Sequence, residues 1–396
     1  MERIDGMFVA RKQDGSFFSL LHVSLRDDIH KLTKGESFYC PACENKLLLK
    51  QGNVRRAHFA HQNKECKAST EPESFYHLEG KAKLYEKLQG FPHIEMEYVV
   101  PSTNQRADVF VQSQERSYAF EFQCSNLSSS EFMKRTKLYQ NASIIPIWII
   151  GKEKLGPTYS AIKLNPFHWQ FLQQPNKKSP PFILSFCPKE KQFYYLIPEF
   201  CLNSSNTYVH WIKSSTWLEY LPQKPHPTSF KWMAHYLHYK KKWRYQYSFS
   251  KQYSLLQRYC YQKLHLPLSL IPAAIGLPVP SFYLMHTPLL EWQAWVYFDN
   301  IFTLPAKSTI HLPSVFERIR YRIRNKQIMP RVLPLLHHLS YENAIIEYLD
   351  CLVNIGHLEK MDSLTYQKLK AENPMHSLEQ AVQEDQILLE KVMKKK

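Results

Sequence analysis

Three short stretches hold the side chains best suited to chemistry: "HLEGK" with Glu79, "RADVFV" with Asp108, and "YAFEFQCSN" with Glu121 and Gln123. Strand side chains alternate between faces, so Glu121 and Gln123 share one face while Phe120 and Phe122 take the other. Neighbouring antiparallel strands lie ~4.8 Å apart, so Asp108 and Glu121 converge if their registers agree. Two carboxylates that close repel unless a cation sits between them. Mg²⁺ and Mn²⁺ take oxygen ligands and keep waters in their shell. Such an ion polarises a phosphodiester and generates hydroxide for attack. The expected metal ligands are Asp108 and Glu121, with Gln123 orienting a water or a phosphate oxygen and Glu79 adding a third carboxylate. Each acid taken alone reads as a surface carboxylate; three of them ordered by one topology in a basic chain favour a metal site.

A second cluster lies upstream in "FYCPACENKLLLKQGNVRRAHFAHQNKEC". Cys40 and Cys43 flank a Pro-Ala turn, and His58 and His61 follow a strand-like "KLLLK". Two turns with paired ligands suit tetrahedral Zn²⁺, which would be structural because four protein ligands leave no open position. Cys66 competes as fourth ligand, and the alternative is a reduced cysteine pair beside two surface histidines. The basic "KQGNVRR" between the pairs suits either a phosphate backbone or a solvated loop.

The elements that must position these residues follow from periodicity. Thr70 and Glu73 form a capping box with Pro72 in the first turn. Phe75, Leu78, Ala82 and Tyr85 then recur at helical spacing, up to Gly90-Phe91-Pro92. Glu79 flanks that stripe, and His77 and Lys81 share another face of the helix. Three strand-like runs follow, "HIEMEYVV", "RADVFVQ" and "YAFEFQC", separated by turn residues. Ser128 and Glu131 cap the helix "SEFMKRTKLYQN", and "ASIIPIWIIG" reads as a strand buried on both faces. Strand, helix and strand at the end of this order imply a parallel crossover.

The chain has 396 residues, too long for one ordinary domain. We expect a zinc-ribbon-like module over 1–70, an α/β core over 71–164 and a mainly helical, aromatic-rich region over 165–396. Lys plus Arg number 51 against 35 Asp plus Glu, for a net charge of +16, which points to a polyanionic partner. In the third region "KWMAHYLHYKKKWRYQYSFSKQYSLLQRYCYQK" interleaves cations with rings, as a single-strand binding surface does. Lys240, Lys241, Lys242 and Arg244, together with Arg318 and Arg322 on a helix capped by Ser314 and Glu317, are the expected DNA contacts. An ordinary solvated helix face is the alternative. The stretch Leu264–Leu290 has no Asp, Glu, Lys or Arg but five prolines, so buried extended structure is expected rather than a membrane helix. The N-terminus lacks an apolar signal core. The eight cysteines then read as thiols or metal ligands, and the expected location is cytoplasmic.

The order of helix Glu79, "RADVFV" and "FEFQ" resembles the PD-(D/E)XK nuclease pattern in its glutamine variant. With "CPAC", "HFAH", "HLEGK", "RTKLY" and "IPIWIIG", residues 1 to 155 resemble the CoiA family of competence proteins. The resemblance implies an αβββαβ core with a mixed sheet, in which Asp108, Glu121 and Gln123 form the nuclease centre. Arg135 and Tyr139 would support it from the following helix, with His77, Lys81 and Arg106 nearby. It further implies a cytoplasmic factor that acts on incoming single strands as they recombine during transformation, with Mg²⁺ or Mn²⁺. Gln123 stands where lysine is usual and cannot bring positive charge to a transition state, unless Lys81 or Arg135 reaches inward. The leading expectation is therefore a metal-dependent deoxyribonuclease. The alternative is a non-catalytic mediator that holds single-stranded DNA or recombination intermediates and recruits a recombinase or other competence proteins. A defence nuclease on the same scaffold is a third reading.

Overall fold

The computed structural model describes all residues except 1–5, 23–25, 42, 53–55, 63–73, 176–178, 202, 204–205, 220, 222–229, 373–374 and 395–396. The chain divides into two compact units: residues 1–158, 166–197 and 211–222 form one, and residues 159–165, 198–210 and 223–396 the other.

The first unit opens with short strands β1 (Gly6–Met7), β2 (Val9–Lys12) and β3 (Phe17–Ser19) and a helix α1 (Arg26–Thr33). Strands β4 (Phe38–Tyr39), β5 (Lys46–Lys50) and β6 (His58–His61) complete a sheet in the order β1-β6-β5-β4-β2-β3. Strands this short bury little, and three rings hold their core: Phe38 lies 5.4 Å from Phe18 and 4.7 Å from Phe59.

Helix α2 spans Phe75–Leu88, and Ser74 caps it by accepting from the His77 N–H. The capping box read at Thr70 and Glu73 lies outside the described residues. The buried stripe begins at Leu78 rather than at Phe75, which is exposed. Strands β7 (His93–Val99), β8 (Arg106–Gln112) and β9 (Ser117–Gln123) then run antiparallel in sequence order. Helix α3 (Ser129–Asn141) follows, capped by Ser128, and leads to β10 (Ile144–Gly151). Strand β10 pairs parallel with β9 from Ser117↔Ile144 to Gln123↔Ile150, as the crossover pattern implied. Helix α2 sits tight on β9: a Cβ on Gly80 would fall 1.9 Å from the Phe122 ring.

The sheet does not stop at residue 164. Strand Phe182–Cys187 pairs parallel with β10 and antiparallel with Gln192–Cys201, so the boundary read from the sequence cuts through the sheet. Phe182, Ile183, Leu184 and Phe186 are buried, as an inner strand requires.

The second unit is mainly helical, with a three-stranded sheet of Thr309–His311, Leu358–Lys360 and Thr365–Lys368. Over Leu264–Leu290, two turns of 3-10 helix, Leu268–Leu270 and Phe282–Leu284, are set among turns and residues with extended backbone such as Pro267, Ile271 and Met285, and Ile271, Ala274 and Ile275 are fully buried. The prolines of this stretch prevent a regular helix. No helix among the described residues is long and apolar enough to cross a membrane. The arginine-rich helix runs Leu312–Arg324 and starts before the cap read at Ser314, with Pro313 in its first turn.

Candidate functional site

The β8–β9 ladder pairs Gln112 with Ser117 through Val109 with Phe120. The ladder ends there, one residue short of Asp108 and of Glu121. There Asp108 Oδ2 accepts the N–H of Phe122 at 2.8 Å, so the carboxylate takes a donor that the strand pairing leaves over. From α2, His77 Nε2 lies 3.5 Å from Asp108 Oδ2 and Lys81 Nζ lies 4.0 Å from Oδ1. His77 and Lys81 are one helical turn apart and reach the same acid. From α3, Arg135 Nη2 donates to Glu121 Oε2 at 2.5 Å and the Tyr139 hydroxyl donates to Oε1. The Arg135 guanidinium also packs 5.1 Å from the Trp148 ring. Both cations held in reserve for the absent lysine therefore touch or approach the two acids.

The environments push the two carboxyls apart. Burial lifts Glu121 to about 7, aided by the Asp108 charge and opposed by Arg135 and Tyr139. Burial also acts upward on Asp108, but His77, Lys81 and the Phe122 N–H outweigh it and hold that carboxyl well below the usual range. One acid is firmly ionised and its neighbour titrates near neutrality, the arrangement of two carboxylates that share a site.

The remaining residues read from the sequence divide. Gln123 is buried on the face of Glu121, and its amide nitrogen donates to Ser125 O (3.1 Å) and Oγ (3.0 Å). Arg106 opens β8 opposite Val99. Glu79 does not join Asp108; it faces Arg56 and Lys83, each at 3.9 Å. Two residues along a helix is roughly 200° of rotation, so the face that carries His77 and Lys81 inward carries Glu79 away. Sequence reading missed Glu97, which is buried and accepts from Lys81 Nζ at 2.7 Å. Nothing in "HIEMEYVV" separates buried Glu97 from Glu95, which pairs with His93.

In the N-terminal sheet the ligand atoms of Cys40, Cys43 and His61 lie within 4.8 Å of one another. Cys43 Sγ is 3.4 Å from His61 Nε2. A tight turn at Glu44, with φ +61°, brings the cysteines together. His58 does not join them: its Nδ1 contacts the Arg56 carbonyl at 3.1 Å. Both histidines lie on β6, and residues three apart on a strand point to opposite faces, so only one can meet the thiols. Cys66 lies outside the described residues. Two thiols and an imidazole form a donor set that fits Zn²⁺.

Four of the six expected DNA contacts are interior or engaged. Lys240 Nζ is buried against Asp385 Oδ1 and the Ala273 carbonyl, both at 2.9 Å. Arg244 makes a two-pronged pair with Asp385 at 2.7 Å and donates to the Ser269 and Ile271 carbonyls. Arg322 grips Asp299 and stacks 3.9 Å from Trp295. Arg318 is exposed but donates to the Asp299 carbonyl. Lys241 and Lys242 are exposed, with Lys242 5.3 Å from the Tyr247 ring.

Comparison with known proteins covers most of the chain. Residues 21–69 match the family model "Competence protein CoiA, N-terminal domain", residues 73–224 its "nuclease-like domain" and residues 232–382 its "C-terminal domain". The middle match ends well beyond residue 164, in keeping with the extended sheet. A curated relative, "Competence protein CoiA" of Bacillus subtilis (strain 168), is 30% identical over 363 residues, which is 89% of this chain and 95% of the relative. No solved structure matches.

Proposed function

Since the chain belongs to the CoiA family of competence proteins, we propose that it serves transformation by acting on incoming DNA during recombination, as a divalent-metal-dependent deoxyribonuclease. One observation carries this reading: Asp108 and Glu121 lie on adjacent strands, near enough that the Asp108 charge adds to burial in lifting Glu121 to about 7. A buried carboxyl so placed gains most from a cation brought beside it. Mg²⁺ or Mn²⁺ would be held by Asp108 and Glu121, and when bound would supply polarisation of a phosphodiester and a hydroxide nucleophile.

The chain's own groups supply the rest. Lys81 and Arg135 bring the positive charge that Gln123 lacks, from α2 and α3 rather than from β9. Arg135 and Tyr139 hold Glu121 in one orientation, and the Phe122 N–H holds Asp108. Fixed dipoles and charges of this kind lower the barrier because they need no rearrangement during reaction. Zn²⁺ held by Cys40, Cys43 and His61 would staple the small N-terminal sheet. In the C-terminal domain, Lys241, Lys242 and Arg318 are the proposed phosphate contacts. The proposed setting is the cytoplasm, with a recombinase and other competence proteins as partners.

The same contacts also favour a second reading. Both oxygens of Glu121 already have donors, as they would in a protein that binds single-stranded DNA and recruits a recombinase without cutting. Labelled single-stranded, duplex and branched DNA, incubated with Mg²⁺ or Mn²⁺, separates the two. The nuclease reading expects cutting by wild type and its loss in Asp108→Ala and Glu121→Ala. Tight binding with no cutting by wild type would establish the mediator instead.

A further inference from the structure

Lys81 is fully buried, and a buried ammonium requires a counter-ion. Glu97 supplies it: Oε1 lies 2.7 Å from Lys81 Nζ. The other oxygen, Oε2, accepts the backbone N–H groups of Phe8 and Val9, both at 3.0 Å. Phe8 and Val9 belong to the N-terminal segment, where Val9 opens β2. A chain of contacts therefore runs from the Phe8 and Val9 amides through Glu97 to Lys81, whose ammonium stands 4.0 Å from Asp108.

The backbone at Glu97 is built for this. Its φ is +54°, the left-handed region that non-glycine residues seldom occupy. Met96 pairs with Val109 and Tyr98 with Ala107, so Glu97 stands opposite Asp108 in β8. The left-handed step breaks the strand's alternation, and Met96 and Glu97 are buried in succession. Backbone strain persists where surrounding contacts over-determine it, typically at functional sites. Here the contacts are three charge-assisted hydrogen bonds to one carboxylate.

We propose that Glu97 is a positioning residue that holds the Lys81 ammonium back from Asp108, and that the N-terminal sheet completes the metal site by fixing Glu97. The inference rests on the reading of Asp108 as a metal ligand. With Glu97 neutral, Asp108 is the acid nearest Lys81 among the described residues. The ammonium then closes its 4.0 Å gap and competes with the cation. Binding at the metal site and docking of the N-terminal segment are coupled in both directions.

The test uses the full chain with Mn²⁺ alone as probe. Glu97→Gln should weaken Mn²⁺ binding by about tenfold, and adding Lys81→Met should restore it, a non-additive cycle. Lys81→Met alone should tighten Mn²⁺ binding, because a cation beside Asp108 is gone. Without metal, both single variants should speed amide exchange at Phe8 and Val9 by about tenfold and leave the second unit unchanged. Unaltered Mn²⁺ affinity in Glu97→Gln overturns the proposal. If wild type binds no Mn²⁺, the metal-site reading fails by itself, and exchange decides the relay: unchanged rates at Phe8 and Val9 in Lys81→Met overturn it. Should Glu97→Gln not fold, Lys81→Met serves with the same two readouts.

Discussion

Gly80→Ala is an unusually direct probe of how α2 is seated on the site strand. At an open helix position this change stabilises by about 1 kcal/mol. Here the new methyl would fall 1.9 Å from Phe122 Cε1, 2.4 Å from Cδ1 and 2.7 Å from Cζ. Ordinary carbon contacts lie near ~3.5–4.0 Å, so the ring must recede by about 1.5 Å or more. Phe122 has little room: it is 1% exposed, stacked on His77 at 5.9 Å, and packed by Tyr76 and Phe186. Overpacking of a tight core costs about 1–3 kcal/mol, and a displacement this large belongs at the upper end, about 2–3, so after the helix gain of about 1 the net loss should be about 1–2 kcal/mol. Urea unfolding of full-length protein reads this as a lower midpoint at similar slope. Phe122→Leu in the Gly80→Ala background should recover part of the loss, with coupling of about 1 kcal/mol. A Gly80→Ala protein as stable as wild type, or more so, would show that α2 is not pressed on β9 as described.

Three further outcomes are expected. Elemental analysis should find one zinc per chain, lost in Cys43→Ser and His61→Ala but retained in His58→Ala, since His58 faces away from the thiols. Because the Glu121 carboxyl sits at about 7, Mn²⁺ affinity should rise about tenfold from about pH 6 to about pH 8 as its proton is lost, and a flat profile over that interval would contradict Glu121 as a ligand. Without metal the sign for stability is opposite: a carboxyl raised from 4.5 stabilises the fold fully below that value, and the contribution is lost as pH climbs through about 7. Arg244→Ala should cost about 3 kcal/mol, the low end for a broken buried pair because Lys240 still faces Asp385, whereas Lys242→Ala should leave stability within about 0.5 kcal/mol and reduce the salt slope of single-strand binding by about 0.7.

Much of the nuclease-like core could be read from periodicity. The apolar stripe of α2, the Ser128 cap of α3 and the continuous apolar run of β10 each follow from local sequence, and their order is the observed one. That Asp108 and Glu121 fall on neighbouring strands needed only the order of the strands. Errors arose where side-chain direction, rather than element type, decided. His58 was grouped with His61 by spacing, but strand parity separates them. Spacing marks Glu79 as a third acid with His77 and Lys81 in support, whereas helix rotation turns His77 and Lys81 toward Asp108 and Glu79 toward Arg56 and Lys83. Glu97 was illegible, since its left-handed backbone leaves no local mark. Lys240 and Arg244 looked like surface cations because their partner, Asp385, lies 141 residues beyond Arg244. The strands past residue 164 were hidden by prolines and by pairing to β10 from a distance.

The central proposal is that Asp108 and Glu121 jointly hold one catalytic cation. Mn²⁺ titration of zinc-loaded, full-length protein, read by paramagnetic resonance near neutral pH, addresses it most directly. Wild type should bind one Mn²⁺ per chain, and Asp108→Asn and Glu121→Gln should each abolish that site while the protein stays folded. Undiminished Mn²⁺ binding in both variants would contradict the assignment.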